Sequence, residues 1–352
     1  MQSAVAQSEA SKKKPWIAEF GDPQAYQAAI SPARVEILVT AKGKFRTTLT
    51  EIELHRLRLQ RGRESLPRIA NAALSADRLA LFFLTGKDQA STRHNGRVLE
   101  FGEIATSTAG STNHHRTDGS CHWATLAITR DDLAAAAHTL VGRDLIEGAV
   151  TRYFRPTLPA MSRLLKLHKN AGELAEGASD TLAQPEPSRA LEKALLHTLT
   201  VCLRDTTPVQ MSSGTVRHSA IIARFEEILT ANYDQPLYLE EICVATGVSE
   251  RTLRLSCMEH MGMGPVRYLW LRRMHLARRA LLSAAPGTKT VTEIATGSGF
   301  WELGRFAIEY RALFGEVPSA TLGRPAEEVR QLRNNPFVLS DSEYDKGCNS
   351  DH

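Results

Sequence analysis

Cysteine is scarce and scattered. Cys121, Cys202, Cys243, Cys257 and Cys348 stand singly, with no C-x-x-C pair. That argues against a disulfide-stapled scaffold and for a reducing compartment. Long apolar runs are missing too. No stretch approaches the ~20 apolar residues of a membrane helix, and the first residues lack the apolar core of a secretory signal, so a cytoplasmic location is expected. Charge of one sign is not in excess, since the formal net charge is only +4. For a polyanionic partner, clustering matters more than the sum. No nucleophile elbow, phosphate-binding loop or zinc motif occurs, and no cofactor is expected.

What the chain has is a pattern written twice. The first copy reads Glu241-Ile242-Cys243-Val244-Ala245-Thr246-Gly247-Val248-Ser249, then Arg251 to Met261, then Gly262-Met263-Gly264-Pro265. The second reads Thr292-Glu293-Ile294-Ala295-Thr296-Gly297-Ser298-Gly299-Phe300, then Trp301 to Phe314, then Gly315-Glu316-Val317-Pro318. The offset is about fifty residues, the kind of self-similarity that marks a structural repeat. Each copy predicts a helix-turn-helix. Gly247 or Gly299 supplies the positive φ at the turn, and Ser249 caps the second helix of the first copy. Ile242, Val248 and Leu253, and in the repeat Ile294, Phe300 and Phe306, fall where such a motif buries side chains.

Between the copies, Pro265 to about Ala285 predicts one continuous helix, opened by Pro265 and ended by Pro286-Gly287. Trp270, Met274, Ala277 and Leu281 form its apolar stripe, with Arg272, His275 and Arg279 opposite. At ~1.5 Å per residue it spans ~30 Å, near the ~34 Å turn of B-DNA, so two recognition helices could reach successive major grooves. From Arg251 to Arg279 there are seven arginines (Arg251, Arg254, Arg267, Arg272, Arg273, Arg278, Arg279) against the single acid Glu259. The alternative reading of such a run is a solvated helix face.

The region from His218 to Leu322 resembles the DNA-binding domain of the AraC/XylS family of bacterial transcription regulators. The residues that carry the resemblance begin with Leu239-Glu240-Glu241-Ile242, Gly247-Val248-Ser249, and Arg273-Met274 with Ala277, Leu281 and Leu282. They continue through Val291-Thr292-Glu293-Ile294-Ala295, Gly299-Phe300, Phe306, Tyr310, Phe314-Gly315 and Pro318-Ser319. They cover almost a third of the chain. Two positions depart from the family: Leu255 stands where arginine is common, and Cys257 where phenylalanine is usual. Met258 or Met261 is expected to fill the space beneath Cys257.

Upstream the pattern has period two. Ile52 and Leu54 alternate with Glu51 and Glu53, Leu57 and Leu59 with Arg56 and Arg58, and Leu99 and Phe101 flank Glu100. Leu79 to Leu84 is a continuous apolar run, consistent with a strand buried on both faces, while Asn95-Gly96 and Asp118-Gly119 signal hairpins. These signs predict an all-β barrel or sandwich over about residues 40–130. From Asp131 the chain turns helical, through Leu133, Leu140, Leu145 and Ile146, then Leu158 to Leu167. After Pro185-Glu186-Pro187-Ser188, with Ser188 as a cap, it continues from Leu191 to Leu203.

This half is similar to the cupin-type effector domain of the same family, through the turn Phe101-Gly102-Glu103 and through Trp123 to Ile128 followed by Asp131-Asp132-Leu133. Such a barrel can hold one small ligand. His114, His115 and His122, with Glu103, raise the question of a metal, but adjacent strand residues face opposite ways, so His114 and His115 cannot both enter the barrel. No metal site is expected. The helices at about 158–203 admit two readings: core packed on the barrel, or the homodimer contact that the resemblance implies.

The expected organisation is α+β in two domains. It comprises a partly disordered arm (1–39), an effector-binding and dimerisation domain (40–204; barrel about 40–130, helices about 131–204), a linker (205–217), a DNA-binding domain (218–325) and a tail (326–352). Within the DNA-binding domain the first helix-turn-helix lies at about 237–262, the connecting helix at about 265–285 and the second helix-turn-helix at about 290–315. Arg251 and Arg254 are suited to guanine and Leu255 to a thymine methyl, with Glu302 and Arg305 as the readers of the weaker second helix. Ser249, Arg272 and Arg279 are expected at phosphates. The resemblance implies double-stranded DNA, a small-molecule effector and RNA polymerase as partners, in a regulator that is not an enzyme. The competing readings are a cupin-type metalloenzyme fused to a DNA-binding domain and an effector-independent DNA-binding protein.

Overall fold

The computed structural model describes residues 14–30, 33–142, 145, 151–204, 206, 208, 209, 211–232, 237–285 and 287–324. The apolar run expected to be buried on both faces is the strand Arg78–Leu84. Leu79, Leu81 and Phe83 enter a core shared with helices, while Ala80, Phe82 and Leu84 line the opposite side of the strand. Side chains on a strand alternate in direction, so six consecutive apolar residues serve two cores.

In chain order the strands are β1 (Trp16–Phe20), β2 (Ala33–Val39), β3 (Thr47–Glu53), β4 (Leu57–Glu64), β5 (Arg68–Leu74) and β6 (Arg78–Leu84), followed by β7 (Thr92–His94), β8 (Arg97–Val98), β9 (Ile104–Ser107), β10 (Thr112–Thr117), β11 (Cys121–Thr129) and β12 (Arg152–Phe154). One antiparallel sheet runs β1-β3-β4-β11-β6-β9-β12 and the other β2-β5-β10-β7-β8. Helices α1 (Pro23–Ala29), α2 (Arg130–Val141), α3 (Leu158–Gly177), α4 (Ser179–Ala183) and α5 (Pro185–Arg204) complete this half. On α3 and α5, Leu164, Leu195 and Leu199 are fully buried in the same core as Leu57, Leu81 and Leu126 of the larger sheet. Each such leucine contributes about 1.5–3 kcal/mol. Of the two readings of these helices, packing on the barrel is realised.

Several expectations need correction. Residues 16–39, read as part of an arm, build the barrel: β1 pairs with β3 and β2 with β5. Their signal is faint because both are edge strands and the outward face of β2 is covered by the second half, where Leu38 joins its core. Asn95-Gly96 does turn a hairpin, with φ 48° and 79°, between β7 and β8. Asp118-Gly119 instead carries the chain from one sheet to the other. Leu99 to Phe101 forms no strand and leads into the turn before β9. Ser188 is buried inside α5, whose first turn begins at Pro185. Residues 1–13, Ile146, Pro286 and 325–352, hence the tail, lie outside the described residues.

The second half is all helical: α6 (Ser213–Ala231), α7 (Leu239–Thr246), α8 (Glu250–Met261), α9 (Pro265–Ser283), α10 (Val291–Gly297), α11 (Leu303–Phe314) and α12 (Pro318–Leu322). Ser212 caps α6 by accepting from the Thr215 amide, so the helical domain starts five residues earlier than the sequence boundary at 218. Met261 is buried in the same core cluster as Cys257 while Met258 is half exposed, which makes Met261 the filler of that space.

Candidate nucleic-acid interface

The first helix pair is shaped by its turn. Gly247 takes φ +71°, which an L side chain tolerates poorly, and Ile242 and Leu253 close the angle between α7 and α8 with no exposed surface. Glu241 accepts from the Tyr238 amide at 2.9 Å. In the repeat Glu293 accepts from the Thr290 amide at 2.7 Å while Thr290 Oγ1 accepts from the Glu293 amide. The repeat therefore extends to how each leading helix begins. Ser249 Oγ accepts from the Thr252 amide at 3.3 Å and starts α8 as expected.

Arg251, Arg254 and Leu255 are exposed on α8. Among the described residues no ion pair occupies either arginine, so both forks are available to a ligand. The second copy is differently set. α11 begins at Leu303, two residues later than the expected Trp301, so exposed Trp301 and Glu302 precede it. Arg305 Nε donates to Glu309 Oε1 at 3.0 Å, and Trp270 Nε1 of α9 donates to Glu309 Oε2 at 2.7 Å. Arg267 lies 3.7 Å over the Trp270 ring. This chain of contacts fixes α9 to α11 and gives Arg305 an internal partner.

The arginine face of α9 is where expectation and structure part. Arg272 is 6% exposed: its Nη1 donates to the Leu229 carbonyl at 2.8 Å and its Nε faces Glu36 of β2 at 3.4 Å. His275 Nε2 meets the Val39 carbonyl at 3.1 Å, and Arg278 bridges Asp22 of the barrel half and Glu316. In this arrangement Arg272 has no face toward DNA. A charged helix face reads alike whether it meets water, phosphate or a second domain's acids, and here it meets the acids. Arg279 is partly exposed.

Glu226 of α6 completes this junction, accepting from Tyr268 Oη and from Asn71 Nδ2 of β5. Burial, with Glu36 nearby, raises its pKa to about 7. Burial likewise lowers His275 to about 4, against the Val39 carbonyl bond that raises it. Sequence reasoning missed Glu226, Glu36 and Asp22. One signal was present: Glu226 directly follows the buried Phe225 on a helix whose inner stripe is Ile221, Ile222, Phe225 and Leu229, and an acid beside such a stripe needs a partner.

The histidines fall as the strand period requires. His115 lines the space between the sheets, whereas His114 faces the other way, its ring 6.2 Å from that of His260 on α8. Glu103 is 1% exposed and held by Arg97 and Arg155 at 2.7–2.9 Å, and His122 is exposed. Between the sheets lies a small cavity of about 80 Å³, with an apolar lining that includes Val35, Ile37, Ala70 and Phe82.

Residues 242–324 match a helix-turn-helix domain family. The chain is similar to a probable thc operon regulatory protein of Rhodococcus erythropolis, 33% identical over 156 residues, which are 42% of this chain and 47% of that protein. The match thus spans about half of that relative's length. It is 32% identical over 109 residues, 31% of this chain, to the XylDLEGF operon transcriptional activator 2 of Pseudomonas putida, 69% of which is covered. Among solved structures it is similar to the AraC-like transcriptional activator CuxR, with a TM-score of 0.40 and 17% identity over 81% of this chain and 99% of that one. The doubled helix-turn-helix, its connecting helix and the 69% coverage of the second relative agree, and the chain belongs to the AraC/XylS family of transcription regulators.

Proposed function

We propose that this protein is a sequence-specific transcriptional activator whose DNA-binding half is controlled by a small molecule bound between the sheets of its first half. One observation carries the proposal. Strands β2 and β5 show one face to the cavity and the other to the DNA-binding half. On β2, Val35 and Ile37 line the cavity while Glu36 and Leu38 meet the helical half. On β5, Ala70 and Ala72 line the cavity while Ile69 and Asn71 meet the helical half. A molecule that moves these strands necessarily moves the seat of α6 and α9. Arg251 and Arg254 read guanine edges, Leu255 meets a thymine methyl, and Glu302 and Arg305 contribute from the second copy. Ser249 and Arg279 lie at phosphates. RNA polymerase and a second copy of the chain are the further partners of an activator of this type. A cytoplasmic location accords with this role, and no described helix is long and apolar enough to cross a membrane.

To regulate, the molecule must favour one seating of the halves over another, because equal affinity for both shifts nothing. A thermal-shift screen of small metabolites is expected to find a stabiliser, and that stabiliser is expected to change operator affinity or transcription. At a hundred times its Kd it should add ~2.7 kcal/mol of stability. A hit that stabilises the protein without altering DNA binding or transcription would overturn the regulatory reading. Consumption of the hit by protein carrying stoichiometric iron or manganese would replace it with the enzyme reading.

A further inference from the structure

The cavity between the sheets holds one charged side chain whose hydrogen-bonding is incomplete. Arg68 of β5 is 4% exposed, and its Nη1 has no partner. Its Nε and Nη2 donate to Glu64 at 2.8 and 3.1 Å. Glu64 also accepts from Tyr26 Oη at 2.8 Å and Trp123 Nε1 at 2.9 Å. The carboxylate is therefore fully bonded, and the side of the guanidinium that best matches a carboxylate is occupied. What remains is the Nη1 amino group, buried without a partner on a side chain that lines the apolar space. Near it, His115 Nδ1 is buried without a partner, on a ring that burial keeps neutral. The other walls include Phe82 and the small side chains of Ala70, Ala72 and Ala80, which give the cavity an apolar lining.

Charge decides which oxygen compound suits this space. Arg68 and Glu64 form a paired, formally neutral unit, so an organic anion drawn to Nη1 would meet a cation whose charge is already largely offset. Its loss of hydration would then go largely uncompensated. An uncharged carbonyl oxygen accepts the same hydrogen bond without that cost, and satisfies a buried donor that is otherwise orphaned. We propose that the effector is an uncharged carbonyl compound with an apolar or aromatic body, its oxygen on Arg68 Nη1 and an adjacent polar group within reach of His115. This rests on the reading of the cavity as the effector site.

Matched pairs of one body and two head groups test it on the full chain: benzamide against benzoate, phenylacetamide against phenylacetate, and hexanamide against hexanoate. Calorimetry or thermal shift should show at least one amide binding at least tenfold tighter than its carboxylate. Ala72→Phe, which fills the cavity while keeping the Arg68–Glu64 pair, should abolish that binding. Carboxylates binding as tightly as or tighter than amides, with loss in Ala72→Phe, would leave the site standing and overturn the class. Binding unaffected by Ala72→Phe would show that the ligand sits elsewhere and overturn both. No binding by any probe at millimolar concentration would also overturn the proposed class.

Discussion

Helices α8 and α9 are neighbours in the chain and similarly rich in arginine, yet Arg251 and Arg254 on α8 are exposed while Arg272 and Arg278 on α9 are buried against the barrel half. The difference is one of surroundings, not of residue type. The α8 arginines lie on the face turned away from the core formed by Leu253, Cys257 and Met261. Those of α9 project from a helix that has core on one side and the acids Glu36 and Asp22 on the other. Arginine clustering thus has two settings here, one exposed on α8 and one buried at the seam between the two halves.

The largest effect that would break this contrast is at the seam. Arg272→Ala leaves Glu36 and Glu226 without their cation and should cost about 3–5 kcal/mol of stability, as removal of one partner from a buried pair does. Urea unfolding of the full chain measures it. A variant as stable as the parent, but with a salt slope of DNA binding reduced by about one, would return Arg272 to the phosphates.

On α8 the expected loss is in recognition. Arg251→Ala and Arg254→Ala should each cost about 1–3 kcal/mol at one base position and relax preference there. Arg305→Ala, whose side chain already pairs with Glu309, should cost less. Binding titrations on cognate and random duplexes separate the three. Equal losses on both duplexes would mean that none of these arginines reads sequence.

The smallest effect is a pH dependence. The Glu226 carboxyl has a pKa of about 7 in the folded protein against an ordinary 4.5, so between these values the folded state holds a proton that the unfolded state has lost. Its contribution to stability is therefore lost as pH rises, by on the order of 1 kcal/mol between pH 6 and 7. His275 and His260, lowered to about 4, act in the opposite direction as pH falls below their ordinary 6.5, so the difference between variants is the useful quantity. Glu226→Gln should gain on the parent as pH rises from 6 to 7 in parallel denaturant titrations. A constant gap across that range would rule out this titration.

Local chemistry made the helical half legible. Gly247, Ser249, Pro265 and Gly299 each act within a few residues of the chain, through a turn, a cap or a helix start, and the structure places all four in those roles. The barrel was legible where one face meets core and the other polar surroundings, as in Leu57 and Leu59 of β4. It was not legible in β1 and β2, whose pairing depends on strands far along the chain.

The sequence by itself determined the doubled helix-turn-helix, its connecting helix and the alternation that sends His114 and His115 to opposite sides, because these depend on covalent spacing and local backbone preference. Only the tertiary structure decided that Arg272 meets Glu36 and not a phosphate, that Glu226 is buried between Asn71 and Tyr268, and that Arg68 lines a cavity with its Nη1 unpartnered. The physical reason is that solvent exposure and charge pairing depend on residues brought together from distant parts of the chain. A side chain's own sequence neighbourhood carries little information about either.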